Sequence, residues 1–276
     1  MRGGGTLEQL KDIVVRGGEP ARTTLLDAVK DVARYKYEPV PPSIDYPWSS
    51  VTYKTRGLRP GWFVIIAGYP GSGKTAAALE ILFSAAKNGK RVLLKSLEMT
   101  AEELGLRLAQ RWGLNTEHLY HGGLTDADRA AMDKAAQFEA YANVELEAES
   151  KIEALRDCVA ERRPDLVVID YIGIMDMGRD NTHEGTTKLS KALKAMARDY
   201  RCPVIALSQL SRPADKQNVL PPTMVDLRAS GALEADADQI IILFRDDSQD
   251  DHETVSEGRF IIAKSRHAKA GAPVKF

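Results

Sequence analysis

Cysteine is scarce in this chain, with Cys158 and Cys202 alone among 276 residues. The two stand far apart in sequence and in apolar surroundings, which favours two buried thiols in a reducing compartment over a disulfide. Long apolar runs are absent too: none approaches the roughly 18 residues that a membrane span needs. The opening residues, MRGGGTLEQLKD, lack the apolar stretch of a secretory signal, so we expect a cytoplasmic chain with no membrane partner. Excess charge of either sign is also missing. With 38 Lys and Arg against 39 Asp and Glu, the net charge is −1. Any nucleic acid would have to be held by local basic patches.

The sequence does hold enough apolar residues, 43%, to bury a good core, and its length suits one or two domains. Residues 1–45 read as an N-terminal extension. In it TTLLDAVKDVARY places Leu25, Leu26, Val29, Val32 and Ala33 at helical spacing, and the Pro-rich EPVPPSIDYPW follows. Such a helix cannot fold alone and must dock its stripe on its own domain or on another copy. Residues 46–276 alternate apolar runs with helical patterns. WFVIIAG, RVLLKS, DLVVIDY, CPVIALSQ, QIIILFR and RFIIAKS read as buried strands, and NVELEA as extended. Helices are expected from Thr75 to about Asn88, over TAEELGLRLAQRWG with a Thr100–Glu103 capping box, and over TDADRAAMDKAAQFEAY. Two more are expected over SKIEALRDCVAERR, with a Ser150–Glu153 box, and over TTKLSKALKAMARDY. Nearly continuous apolar strands alternating with helices predict an α/β fold, a mostly parallel twisted sheet covered on both faces. The last residues, IIAKSRHAKAGAPVKF, read as a C-terminal β-hairpin whose turn carries Lys264, Arg266, His267 and Lys269.

The strongest motif follows the first of these strands. GYPGSGKT, from Gly68 through Tyr69, Pro70, Gly71, Ser72, Gly73 and Lys74 to Thr75, matches G-x-x-x-x-G-K-[ST]. It stands between a strand and a helix, as phosphate binding requires. Its glycines turn backbone N–H groups toward phosphate oxygens, and the helix N-terminus adds its dipole. Lys74 suits the β- and γ-phosphates of ATP, and Thr75 a Mg²⁺ ion. Asp170, at the end of an apolar strand about one hundred residues on, suits the carboxylate that holds Mg²⁺ through water; alone it could equally be a helix cap. Glu98 stands near the end of LLKSLEM, where it is either a general base for water or a surface residue starting a helix. Gln209 ends a strand in VIALSQLSR, where an amide can sense the γ-phosphate. Beyond it lies a long polar stretch with Arg212, Lys216, Arg228 and Gly231. A basic, glycine-containing loop of this kind can follow a sugar–phosphate backbone, or simply face solvent.

Taken in order, GLRPG, GYPGSGKT, SLEM, LVVIDY, ALSQLSR, DLRASGALEADAD and AKSRHAKAG resemble the ATPase domain of the DnaB-type ring helicases and the related phage and mitochondrial primase–helicases. The likeness spans residues 48 to 276. It implies a RecA-like P-loop NTPase fold and an ATP- and Mg²⁺-dependent DNA helicase of replication. It further implies a homo-oligomer, a hexameric ring around single-stranded DNA with 5′ to 3′ polarity, and a primase or helicase loader as partner. By the same resemblance Glu98 is the catalytic base, Gln209 the γ-phosphate sensor, and Arg228 and Gly231 part of a DNA-binding loop. Lys264 and Arg266 match the pair that reaches a neighbour's ATP. Two features depart from the family. About fifty residues stand where an N-terminal helical domain or a primase is usual, and Ala229 replaces an acidic residue of the DNA loop. A recombinase of RecA or RadA type, or a non-unwinding switch or loader ATPase, would share the same core.

Overall fold

The computed structural model describes residues 24–33, 36–37, 43–170, 172–175, 183–210, 221–227, 230–245, 258–266 and 271–275. The chain divides into two units, residues 1–42 and 43–276. In the first, helix α1 (Leu25–Ala33) forms as the apolar spacing predicts, and its Leu25, Leu26, Val29 and Val32 side chains are exposed.

The second unit is built on one sheet of eight strands. They are β1 (Phe63–Gly68), β2 (Val92–Ser96), β3 (Val144–Glu147), β4 (Leu166–Asp170), β5 (Val204–Gln209), β6 (Gln239–Arg245), β7 (Gly258–Ser265) and β8 (Gly271–Lys275), in the order β3-β2-β4-β5-β1-β6-β7-β8. The first six run parallel, and β7 and β8 are added antiparallel. Helices α2 (Ser49–Thr55), α3 (Lys74–Lys87), α4 (Ala101–Arg111), α5 (Thr116–His121), α6 (Asp126–Ala136), α7 (Ile152–Arg162), α8 (His183–Tyr200) and α9 (Ser230–Asp236) complete it.

Strand β1 shows why these runs are apolar throughout. Its side chains alternate between two cores, one on each face of the sheet. Val64 and Ile66 pack with Ala78, Leu82 and Leu104 of α3 and α4. Phe63, Ile65 and Ala67 pack with Leu155, Leu193 and Leu233 of α7, α8 and α9. Gln239, fully buried at the start of β6, anchors residues 44–58 to the sheet. It accepts from the Tyr46 hydroxyl at 2.9 Å and donates to the Thr55 and Gly57 carbonyls.

Several local expectations need correction. No Ser150–Glu153 box forms: α7 starts at Ile152 with Lys151 as its uncapped N-cap. The preceding turn is used otherwise, since the buried Lys95 ammonium donates to the Glu149 carbonyl. Cys158 is half-buried rather than buried, and its thiol donates to Glu147 Oε2 at 3.0 Å; Cys202 is buried. The helix expected to run on to Tyr141 stops at Ala136. There Phe138 turns inward to stack on Phe83 at 4.8 Å. Lys264 belongs to β7 itself and not to a turn; His267 and Lys269 lie outside the described residues. The Thr100–Glu103 box forms as expected, and a second, Thr125–Asp128, starts α6.

Candidate active site

The loop from Gly68 to Thr75 joins the end of β1 to the start of α3. Gly71 and Gly73 have φ of 82° and 88°, a left-handed region that glycine enters without strain. Gly68 is required for a different reason. A Cβ there would lie 2.3 Å from Ser72 Oγ and 3.0 Å from the Leu243 carbonyl. Ser72 Oγ is buried without a hydrogen-bond partner among the described residues. It stands inside the loop as a polar group suited to an anion.

Lys74, nearly buried, folds back so that Nζ donates to the carbonyls of Gly68 at 3.1 Å and Tyr69 at 2.9 Å. Burial pushes its ammonium pKa down, while the charges of Asp170 and Glu98 oppose that shift. Asp170 ends β4 beside Ser96 of β2 and is buried. Burial raises its carboxyl pKa, and the charge of Glu98 adds to this; the Thr75 hydroxyl, hydrogen-bonded to the carboxylate, and the charges of Lys74 and Arg107 pull the other way. Glu98 is exposed, in the turn between β2 and α4. Ser96 Oγ closes that turn on the Met99 carbonyl at 2.6 Å, and the Thr100–Glu103 box fixes the helix that follows. Thr75, Lys74, Asp170 and Glu98 are thus brought together, as the sequence predicts. A hydroxyl and a carboxylate side by side are hard oxygen donors of the kind Mg²⁺ takes alongside water and substrate phosphates. Thr75 and Asp170 thus offer two protein donors that fit this chemistry beside phosphate and water.

Gln209 lies beside Gly68 in parallel register and is half-buried. The next N–H, of Leu210, donates to the Gly68 carbonyl at 3.0 Å, the same oxygen that Lys74 uses. Leu210 in turn bridges to Leu227, so these two residues close together beside the nucleotide loop. Tyr69 carries the mark of this closure: burial raises its phenol pKa, and so does the charge of Asp226. Arg212, Lys216 and Arg228 lie outside the described residues. Gly231 is exposed in the first turn of α9.

Lys264 and Arg266 are not part of this cluster. Lys264 pairs with Ile240 at the start of β6, whereas Gly68 pairs with Leu243. Arg266 lies beyond, its N–H donating to the Asp238 carbonyl at 2.9 Å. From Leu243 to Asp238 the strand advances by about 16 Å, at about 3.3 Å per residue. Lys264 Nζ donates to the Glu234 carbonyl and Arg266 Nη2 to the Ala235 carbonyl.

Sequence reading missed the wall facing the nucleotide loop. A cavity of about 550 Å³ is lined by Gly71, Ser72 and Gly73 together with Trp48, Arg107, Arg111 and Arg245. Arg111 donates to Glu80 at 2.8 Å and stacks over Phe83 at 3.8 Å. The four-residue spacing of Arg107 and Arg111 on α4, just after Glu98, was the available signal.

Comparison with known proteins gives consistent results. A model of the DnaB-like helicase C-terminal domain matches residues 45–275. The replicative DNA helicase DnaB of Geobacillus stearothermophilus is 34% identical over 229 residues, 79% of this chain and 50% of that protein. The replicative DNA helicase DnaC of Bacillus subtilis (strain 168) is 30% identical over 287 aligned positions, gaps included, which cover 96% of this chain and 63% of that protein. The chain thus spans between half and two thirds of these relatives. One solved ATPase domain superimposes with a TM-score of 0.76 at 26% identity, covering 99% of this chain and 95% of that one. A DnaB-like replicative helicase, solved in a study of its interactions with primase, gives 0.78 at 27% identity, with 97% and 68% covered. The fold is RecA-like.

Proposed function

The chain belongs to the DnaB-like helicase C-terminal domain family, and from that premise we propose that it is an ATP-hydrolysing motor that moves along single-stranded DNA and separates duplex DNA during replication. The observation that carries this reading is the meeting of Lys74, Thr75, Asp170 and Glu98 at one end of the sheet, while the basic Lys264–Arg266 pair stands at the other. The first group is equipped to bind and cleave a triphosphate. The second stands apart from it, turned toward the carbonyls of Glu234 and Ala235, and its charge suits the phosphate of an adjacent copy.

In this reading the N–H groups from Gly71 to Thr75 and the Ser72 hydroxyl enclose the β-phosphate, and Lys74 exchanges its carbonyl partners for phosphate oxygens. Thr75 and Asp170 hold Mg²⁺, which neutralises phosphate charge when bound. Glu98 accepts the proton of the attacking water, and Gln209 reports the γ-phosphate to the stretch that begins at Leu210. Lys264 and Arg266 reach the nucleotide of the next subunit in a hexameric ring. Arg212, Lys216, Arg228 and Gly231 contact the DNA backbone, and a primase or a loader is the fitting protein partner.

Lys74→Ala tests the core of this reading. The altered protein should keep its fold by circular dichroism and lose ATP turnover by at least ~10²-fold, the order expected when one preorganised donor is removed from developing charge. Wild-type turnover in the folded variant would overturn the assignment.

A further inference from the structure

Lys264 and Arg266 already have partners within their own chain. Lys264 Nζ and Arg266 Nη2 donate to the carbonyls of Glu234 and Ala235. These belong to the last turn of α9, where carbonyls lack intrahelical donors and carry the negative end of the helix dipole. Asp238 Oδ1 adds a full charge, 3.8 Å from Arg266 Nη1. Asp238 is buried and held from three sides. Its Oδ2 accepts from Phe63 N at 2.7 Å and from Lys194 Nζ at 2.6 Å, and its main chain exchanges bonds with Phe63 and Arg266. The result is a fixed group of oxygens facing two cations, much as a phosphate would face them.

We propose that the Glu234 and Ala235 carbonyls, with Asp238 as positioning residue, form a resting seat for Lys264 and Arg266, and that a neighbour's triphosphate draws the pair away and uncaps α9. The inference rests on the reading that this pair serves an adjacent nucleotide. The consequence follows from the helix itself. Its seven residues are too few for independent stability, so it depends on Leu233, buried against the sheet, on the Ser190 hydroxyl bonded to the Ala232 carbonyl, and on the two cations. Its first residues, Ser230 and Gly231, closely follow Arg228 in sequence. Loss of the cap at one end is therefore transmitted over about 10 Å, at 1.5 Å per residue, to the stretch assigned to DNA.

Amide hydrogen exchange on the full chain tests this. Without nucleotide, the double variant Lys264→Ala, Arg266→Ala shortens one half-buried and one exposed side chain and should fold. Its amides over residues 233–237 should exchange roughly 3- to 30-fold faster than wild type, the effect of losing two favourable charges at a helix C-terminus. Asp238→Asn should give a smaller increase over the same residues; if that buried substitution prevents folding, the double variant decides alone. In assembled wild-type protein, Mg²⁺ with a non-hydrolysable ATP analogue should accelerate the same amides, and should not do so in Lys74→Ala. Unchanged exchange in the double variant overturns the seat. So does unchanged exchange in loaded wild type whose Arg266 nevertheless acts across subunits, shown by ATPase activity returning when Arg266→Ala and Lys74→Ala chains are mixed, because the pair would then work without leaving α9. Failure of the mixing experiment itself would instead remove the functional reading on which the inference stands.

Discussion

The two ends of the sheet handle charge differently. At the carboxyl end of β1 and β4, Lys74, Thr75, Asp170 and Glu98 are all side chains of one chain, close enough that the Glu98 charge and the Thr75 hydroxyl bear on the proton affinities of Lys74 and Asp170. At the amino end of β6, Lys264 and Arg266 meet two backbone carbonyls and the distant edge of one carboxylate already engaged by Lys194. On the proposed reading the first region holds a nucleotide and its metal but lacks the cations that a neighbour would bring. The second has cationic groups whose strongest natural partner, a phosphate oxyanion, is not supplied from within the subunit. On that reading an isolated chain is expected to bind nucleotide well and to hydrolyse it poorly.

The sharpest way to break this comparison is Arg266→Ala. Nucleotide binding by an isolated subunit should stay near wild type, while turnover in the assembly should fall by up to ~10³–10⁵-fold, with Lys264 limiting the loss. Mixing Arg266→Ala with Lys74→Ala should restore part of the ATPase activity, because each supplies what the other lacks at one interface. Mixed assemblies that stay inactive would show that the two ends are not joined across subunits.

A smaller effect is expected from Glu98→Gln. Removal of a general base should lower kcat by ~10²–10⁴-fold with little change in nucleotide affinity. This variant should not be rescued by mixing with Lys74→Ala, since both changes lie at the same end of the same chain. Rescue would place Glu98 in a neighbour's site. A loss of affinity with kcat retained would assign it a binding role.

The smallest effect concerns the support of Glu98. Thr100→Ala removes the cap of α4 and should cost about 1 kcal/mol, or roughly 2–4 °C in Tm, with little effect on the Lys264–Arg266 end. The capping hydrogen bonds from Thr100 hold the Glu103 carboxyl pKa below its ordinary value. Its folded pKa being depressed, this contribution is present above the unfolded value and lost as pH falls through the folded one. The Thr100 N–H that donates to this carboxylate survives in Thr100→Ala, so the pH dependence is read from Glu103→Ala, whose thermal melt should converge with that of wild type on acidification. A constant difference across that range would mean that the carboxylate takes no part in the cap.

Much of the domain was legible because its signals are local. A buried parallel strand needs an apolar residue at every position, a phosphate loop needs glycine where φ is positive, and a capping box needs Thr100 and Glu103 three residues apart. The motif GYPGSGKT and the apolar runs therefore determined the strands, the nucleotide loop and the helix behind it. Local signals misled where long-range contacts compete with them. Ser150 and Glu153 have capping-box spacing, yet Lys95, brought in from β2, takes the Glu149 carbonyl and the helix starts later. Phe138 lies in a helical pattern, yet the Phe83 ring ends the helix early by offering a stacking partner.

What only the tertiary structure decided is which end of the sheet each functional residue occupies. Sequence order places Lys264 and Arg266 nearly 200 residues from Lys74 and says nothing about distance in space. The antiparallel addition of β7 to β6 sets them opposite Ile240 and Asp238 instead of opposite Leu243. Strand direction thus separates two cationic sites that composition and motif alone would have allowed to coincide. The same pairing brings Arg266 to Asp238 and the end of α9, a contact that no spacing in the sequence encodes because its members come from different elements and meet only through the sheet register.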